Sequence, residues 1–253
     1  MTFNIRYDNP NDHENSWEFR KNEVVGLITY YHPDFLGIQE GLYHQVAFIQ
    51  QHCANYDYIG VGRDDGDQKG EFSAIYYDTT KFSLIAQETF WLSEHPDIIS
   101  VGWDASMERI CTYGKFKNKT TNHTIHIFNT HFDHIGTEAR KKSAELILQK
   151  IAAYGLTKEK LVVMGDLNAE PTSEPIMILR KALDYGFEIA EKEFYGPLST
   201  FNGFNPTLAS DNRIDYIFTK NLEIYSYRHI DDRRINHLCI SDHFPVLIEI
   251  KWY

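Results

Sequence analysis

The sequence is short of basic charge, of cysteine and of long apolar runs. Lys and Arg number 25 against 36 Asp and Glu, a net charge of -11 over 253 residues. That balance argues against tight non-specific binding to long polyanions, which depends on a basic surface, though it does not forbid brief catalysis on them. The three cysteines, Cys53, Cys111 and Cys239, lie far apart and lack close Cys or His partners of the zinc type. Neither a disulfide framework nor a zinc site is therefore expected, and the thiols are predicted reduced and mostly buried. No apolar run is long enough to cross a bilayer, and no charged-then-apolar leader opens the chain. As written the sequence points to the cytoplasm. Its abrupt start in a strand-like segment leaves export with a leader removed as the alternative. No Pro/Gly/Ser-rich linker divides the chain, so one domain over residues 1–253 is expected, and a monomer.

What the sequence does have is a series of apolar runs that end in chemistry. Leu161-Val162-Val163-Met164 breaks into Gly165-Asp166-Leu167-Asn168. A short Val-rich run reads as a strand covered on both faces, and glycine lets the backbone leave it sharply. Asp166 and Asn168, two apart, share a side if the extension persists. A carboxylate beside an amide suits attack of water on a phosphate, the Asp taking or orienting the proton and the Asn holding a phosphoryl oxygen. An Asx-turn after a strand is the bland alternative.

The same pattern occurs elsewhere. Thr2 to Tyr7 alternates apolar and polar, with Asn4 on the polar phase, and enters a turn-rich loop. Val24, Leu27, Ile28 and Tyr31 recur at helical spacing before Pro33, and Phe35 to Ile38 is a second buried strand that delivers Glu40. Glu oxygens are the hard ligands Mg²⁺ accepts, and a helix-capping or solvent-facing Glu is the alternative. Leu42 to Cys53 reads as a helix and Tyr56 to Val61 as a strand. Phe72 to Asp78 and Phe82 to Trp91 read as an antiparallel pair. Leu92 to Glu108 is a long loop of the kind that carries substrate contacts, and Arg109 follows it at the head of the strand Ile110 to Phe116. The planar fork of Arg109 suits a phosphate, and a surface ion pair suits it equally.

Thr124 to Thr130 is a further strand, ending in His131, Asp133 and His134. His131 and Asp133 share a face by the two-residue period, so a cationic imidazole held by that carboxylate could stabilise a phosphoryl oxygen, with His134 turned elsewhere. Zinc ligation is the competing chemistry. Thr137 to Tyr154 is an amphipathic helix that crosses over to the Leu161 strand, a strand-helix-strand unit like the one joining Asn4 to Glu40. Glu174 to Leu183 reads as a short helix and Ala190 to Asn212 as loop-rich, with Gly196-Pro197 and Asn205-Pro206. Arg213 to Phe218 alternates, placing Arg213 and Asp215 on one face. Asp242-His243 precedes the terminal strand Val246 to Ile250. Neighbours in sequence need not touch, so an orienting carboxylate for His243 should come from another strand, with Asp215 the natural candidate.

Thr2-Phe3-Asn4, Gln39-Glu40, Asn129-Thr130-His131, Gly165-Asp166-Leu167-Asn168, Arg213-Ile214-Asp215-Tyr216 and Ser241-Asp242-His243, in that order, resemble the motifs of the endonuclease/exonuclease/phosphatase superfamily, whose members include DNase I-like nucleases, inositol-polyphosphate phosphatases, neutral sphingomyelinases and poly(A) deadenylases. The resemblance covers essentially the whole chain. Trp17 to Arg20, Gly70-Glu71-Phe72, Gly102-Trp103-Asp104 and Arg109-Ile110-Cys111-Thr112 further resemble a bacterial branch similar to the deadenylases. The resemblance implies a four-layered α/β sandwich, with two mostly antiparallel β-sheets face to face, helices outside and the site at one edge. It also implies Asn4, Glu40 and Asp242 around a Mg²⁺ (or Mn²⁺), with Glu40 the principal ligand. By the same likeness Asp166 handles the water, Asn168 and His131 hold phosphoryl oxygens, and Asp215 orients His243. Arg6 departs from members with an acidic or amide residue two positions after the first Asn, which speaks against a second metal there. The expectation is a Mg²⁺-dependent phosphodiesterase acting on a small or short phosphate ester. Monoesterase action on a phosphorylated sugar or lipid head group, action on nucleic acid, and a non-catalytic binding module on the same fold are the alternatives.

Overall fold

The computed structural model describes residues 1–205, 207 and 211–251; Pro206 and residues 208–210 of the loop-rich stretch lie outside them. In chain order the elements are β1 (Thr2–Asn4), α1 (Trp17–Tyr31), β2 (Phe35–Gln39), α2 (Tyr43–His52), β3 (Tyr56–Ile59), β4 (Ile75–Asp78), β5 (Phe82–Trp91), β6 (Ile110–Asn118), β7 (Thr124–His131), α3 (Thr137–Ala153), β8 (Leu161–Asp166), α4 (Glu174–Ala182), β9 (Asp184–Tyr185), α5 (Gly186–Ile189), β10 (Asp215–Lys220), β11 (Glu223–His229) and β12 (Val246–Lys251). The strands form two six-stranded sheets, ordered β11-β12-β1-β2-β4-β3 and β5-β6-β7-β8-β10-β9. Each sheet has one parallel pair at its centre, β1 with β2 and β7 with β8, and antiparallel neighbours around it. Parallel neighbours need a crossover, and α1 and α3 supply the two. The result is the expected α/β sandwich, built from two similar halves.

The sheets are joined across their interface by polar contacts as well as apolar packing. Gln39 donates to Asn129 Oδ1 at 2.6 Å, and the Asn129 amide donates to the carbonyls of Ile38 and Ala74, both at 2.8 Å. Buried amides are tolerated because they are paired. The fit requires Gly37, since a Cβ there would lie 2.5 Å from Asn129 Oδ1. On the outer face of the first sheet, Trp17, Val24, Leu27, Ile28, Val46 and Ile49 of α1 and α2 cluster with Phe3, Leu36, Ile38 and Tyr76.

Two features depart from the sequence reading. The segments 72–78 and 82–91 are not a hairpin: β4 pairs with β2 and β3, and β5 pairs with β6 in the other sheet. Between them Asp78 accepts from Thr80 N at 2.8 Å and Thr80 Oγ1 at 2.6 Å, a turn that steps the chain from one layer to the next. β11, absent from that reading, carries a register shift between Ile224 and Ser226, which breaks the two-residue period by which a strand is recognised.

Gly165, in the penultimate position of β8, has φ +147, and a Cβ there would meet Thr130 O at 1.9 Å. Gly165→Ala is expected to destabilise the protein by about 3 kcal/mol or more, because the β7–β8 pairing must open and a backbone conformation foreign to alanine must be held. A urea melt with an unchanged midpoint would contradict this.

Candidate active site

The central strands converge at one end of the sandwich. β1 and β2 deliver Asn4 and Glu40 from the first sheet. In the second, pairing sets His131 opposite Asp166 and Asp166 opposite Asp215, so β7, β8 and β10 present three titratable groups in a row. The loop before β12 adds Asp242 and His243. Arg6, Glu40 and Asn168 all adopt positive φ, of 58, 63 and 45°, as the chain turns away from its strands. Such strain persists where surrounding contacts enforce it.

Asp166 is the hub. Its Oδ2 accepts from Asn4 Nδ2 at 2.9 Å and lies 3.5 Å from His131 Nε2 and 3.7 Å from His243 Nε2, while its Oδ1 accepts from Asn168 N at 3.0 Å. Asn4 Nδ2 also donates to Glu40 Oε1 at 3.0 Å, tying the two sheets' carboxylates together. Its oxygen accepts from Arg6 N at 3.0 Å, so here Asn4 links two acids rather than offering an oxygen of its own. Burial, then the nearby Asp215, pushes the Asp166 carboxyl up to about 7 against the opposing pull of His243.

The two histidines are pushed in opposite directions. His243 Nδ1 sits 2.8 Å from Asp215 Oδ2, and although burial disfavours the imidazolium, Asp215 and Asp166 together raise its pKa well above the ordinary value. Asp215 is itself placed by Thr200, whose Oγ1 accepts from its backbone N at 3.0 Å, and the Phe201 ring packs edge-on against His243 at 5.0 Å. His131 is the reverse. Burial, with Arg109 and Arg63 nearby, holds its pKa well below the ordinary value, so the surroundings that favour an imidazolium are those of His243 and not those of His131.

Asp133 does not pair with His131. Its carboxylate accepts from Ser106 N and Oγ, at 3.1 and 2.8 Å, from Ile135 N at 2.9 Å, from Gly136 N at 2.7 Å and from Arg109 Nε at 3.3 Å. Burial opposes its charge, but the amides of Gly136 and Ile135, then Ser106 and Arg109, hold the carboxyl well below its usual range. Asp133 thus fastens the long 92–108 loop to the start of α3, where Asp104 of that loop also accepts from Ala139 N at 2.6 Å. Arg109 is buried, with Nη2 2.9 Å from the exposed His134.

Asn168 donates its amide to Phe132 O and His131 Nε2, both at 3.0 Å. A phosphoryl oxygen held by Asn168 would have to displace one of these bonds. With Nε2 accepting, the His131 proton sits on Nδ1, 3.9 Å from Glu71 Oε2. Glu71 is fixed by Arg63 through two bonds of 2.7 and 3.0 Å. The sequence reading assigned Glu71 no role; the acid directly after Gly70 at the head of a strand was its signal. Arg20 was missed too. Fully buried, it donates to the carbonyls of Asn15, Ile5 and Arg6 and so sets the loop after β1.

One carboxylate oxygen each from Glu40 and Asp166 and one ring nitrogen of His243 lie within 4.8 Å of one another. With Asp215 on its Nδ1 and a raised pKa, His243 is a poor ligand, so the two carboxylates are the donors. Asp242 stands to one side, 3.8 Å from Arg6 Nε, its pKa raised first by burial, with Glu40 adding to the effect. A cluster of carboxylate oxygens at one end of the sandwich fits a hard divalent cation. A proton on Asp166 competes with such a cation. Its folded pKa lies above the ordinary carboxyl value, so its stabilising proton is fully present below about pH 4 and lost as pH rises through about 7. The rise in Tm on adding Mg²⁺ is therefore expected to be larger at about pH 8 than at about pH 5.5. Thermal melts showing equal increments would contradict this.

Among the described residues no helix is long and apolar enough to cross a membrane. Over 99% of this chain and 98% of the other, the structure superposes on a mannosyl-6-phosphatase from Bacteroides thetaiotaomicron with a TM-score of 0.95 at 36% identity. It shares its fold with the catalytic domain of human nocturnin, with a TM-score of 0.74 at 20% identity over 98% of this chain and 91% of that one. An uncharacterized protein, L388, of Acanthamoeba polyphaga mimivirus is 28% identical over 92% of this chain and 91% of its own length. The model of the endonuclease/exonuclease/phosphatase family matches residues 1–243, a span that takes in every strand end converging here, and the chain belongs to that family.

Proposed function

We propose that this chain is a divalent-metal-dependent phosphoesterase that removes phosphate from a small hydroxylated substrate of the sugar class. Asp166 carries the chemical part of this reading: a buried carboxyl pushed up to about 7 between a cationic and a neutral histidine. A base with that pKa can take a proton from water at neutral pH. His243, held by Asp215, presents Nε2–H on the same side as Asp166 and can stabilise charge on a phosphoryl oxygen or protonate the departing one. Glu40 would hold the metal, Mg²⁺ or Mn²⁺, with Asp166 in the same cluster and Asp242 close enough to feel the charge of Glu40. When bound, the ion supplies positive charge where the phosphoryl oxygens gather. His131, Asn168 and Glu71 brace one wall of the site, and Arg109 with His134 stands beside it.

Two observations support the substrate class. The mannosyl-6-phosphatase is similar over nearly the full length of both chains, and the net charge of -11 gives a long polyanion little general attraction. The test is a panel of mannose 6-phosphate, glucose 6-phosphate, p-nitrophenyl phosphate, bis(p-nitrophenyl) phosphate, poly(A) and plasmid DNA, each with Mg²⁺, Mn²⁺ or EDTA. The expected result is the highest kcat/KM on a hexose phosphate and none in EDTA. Efficient cleavage of poly(A) or plasmid that collapses as salt rises would put a nuclease in its place, and preference for the diester would restore the phosphodiesterase reading.

A further inference from the structure

Arg6 is built into the site with more care than a surface ion pair needs. Its backbone sits at φ 58°, its N–H is taken by Asn4 Oδ1, and its carbonyl accepts from Arg20 Nη2 at 2.7 Å and from Gln45 Nε2 at 2.9 Å. The side chain leaves this anchored point across the Tyr7 ring, its guanidinium 4.6 Å from the ring centroid. Asp12 then grips the fork through Nε and Nη2, at 2.9 and 3.1 Å. Backbone, aromatic face and bidentate pair together leave the guanidinium little freedom.

The charge so fixed faces the metal-holding carboxylates. Nη1 lies 3.9 Å from Glu40 Oε2 and Nε 3.8 Å from Asp242 Oδ2. These separations exceed a hydrogen bond, so Arg6 acts on both acids through its charge while leaving their oxygens available. Glu40 is held from its other sides by Asn4 Nδ2 and by Tyr7 N, at 3.0 and 3.2 Å. We infer that Arg6 is a fixed counter-cation which takes the place of a second metal ion, so that the site binds one divalent cation, with Arg6 supplying the second positive charge on the Glu40–Asp242 side. This rests on the proposed metal-dependent reading. It adds a stoichiometry and a residue that sets it.

The test counts bound ions without using turnover. Mn²⁺ is titrated into the purified protein and the free ion followed by electron paramagnetic resonance, for wild type, Arg6→Met and Arg6→Lys. The expected result is one ion for wild type and Arg6→Lys, and two for Arg6→Met. A second measurement separates charge from packing. Without divalent ions Arg6→Met should melt below wild type, and saturating Mn²⁺ should close at least half of that gap, because the ion takes over the lost charge. Asp12→Asn, which releases the fork but leaves the guanidinium charged, should still bind one ion. Two ions in wild type, or one in both wild type and Arg6→Met with a melting gap that Mn²⁺ leaves unaltered, would overturn the role of Arg6. No bound Mn²⁺ in any of the proteins would overturn the metal-dependent reading as well, which distinguishes the two failures.

Discussion

Asp166→Asn is expected to lower kcat by two to four orders of magnitude, the range a positioned general base contributes, while leaving the fold intact. The amide keeps the shape of the carboxylate but cannot accept a proton from water. It also removes a buried negative charge set opposite Asp215, whose repulsion contributes to the raised pKa. The variant should therefore melt at or above the wild-type temperature in the absence of metal, even as turnover collapses. That opposition of stability and activity separates a chemical role from a structural one. A variant that keeps more than about a tenth of wild-type kcat would show that the water is activated elsewhere.

The second large effect belongs to Asp215 and His243. The carboxylate sits 2.8 Å from Nδ1 and is a main reason that the buried imidazole is cationic. Asp215→Asn should remove both the orientation and the charge, so its loss in kcat/KM should match that of His243→Ala at about two to four orders of magnitude. The double variant should be scarcely worse than either single one. The pH profile gives an independent reading. With its partner gone, His243 loses the interaction that raised its pKa, so residual activity should fall with rising pH at a lower pH than in wild type. Additive losses, or an unmoved profile, would show that the two residues work separately.

Much of this site was legible because it lies at strand ends, where an apolar run stops and a polar residue follows within one or two positions. Glu40, His131 and Asp166 are of this kind, Asn4 and Asp215 stood out instead on the polar phase of an alternating strand, and the pairing of Asp215 with His243 followed from asking which strand could supply a carboxylate. What local pattern could not show was which charges cancel. Asp133 shares the alternation of His131, yet Ser106, 27 residues earlier, claims its carboxylate and turns it into a loop clasp. The charge of His131 likewise depends on burial and on Arg63 and Arg109, which lie far away in sequence. No local pattern marks Arg20 as buried, and only the folded chain places three backbone carbonyls around it. The sheet assignment of β4 and β5 was hidden for a related reason: adjacent strands with a short connector look like a hairpin until the opposing layer is known.

The most direct test of the central claim, that water handled by Asp166 attacks phosphorus at a metal-dependent site, is hydrolysis of mannose 6-phosphate in oxygen-18-labelled water. With Mg²⁺, wild type should release phosphate carrying one labelled oxygen and unlabelled mannose, EDTA should abolish that release, and Asp166→Asn should slow it by about two to four orders of magnitude. Label in the sugar hydroxyl, or undiminished release of phosphate in EDTA, would contradict the account.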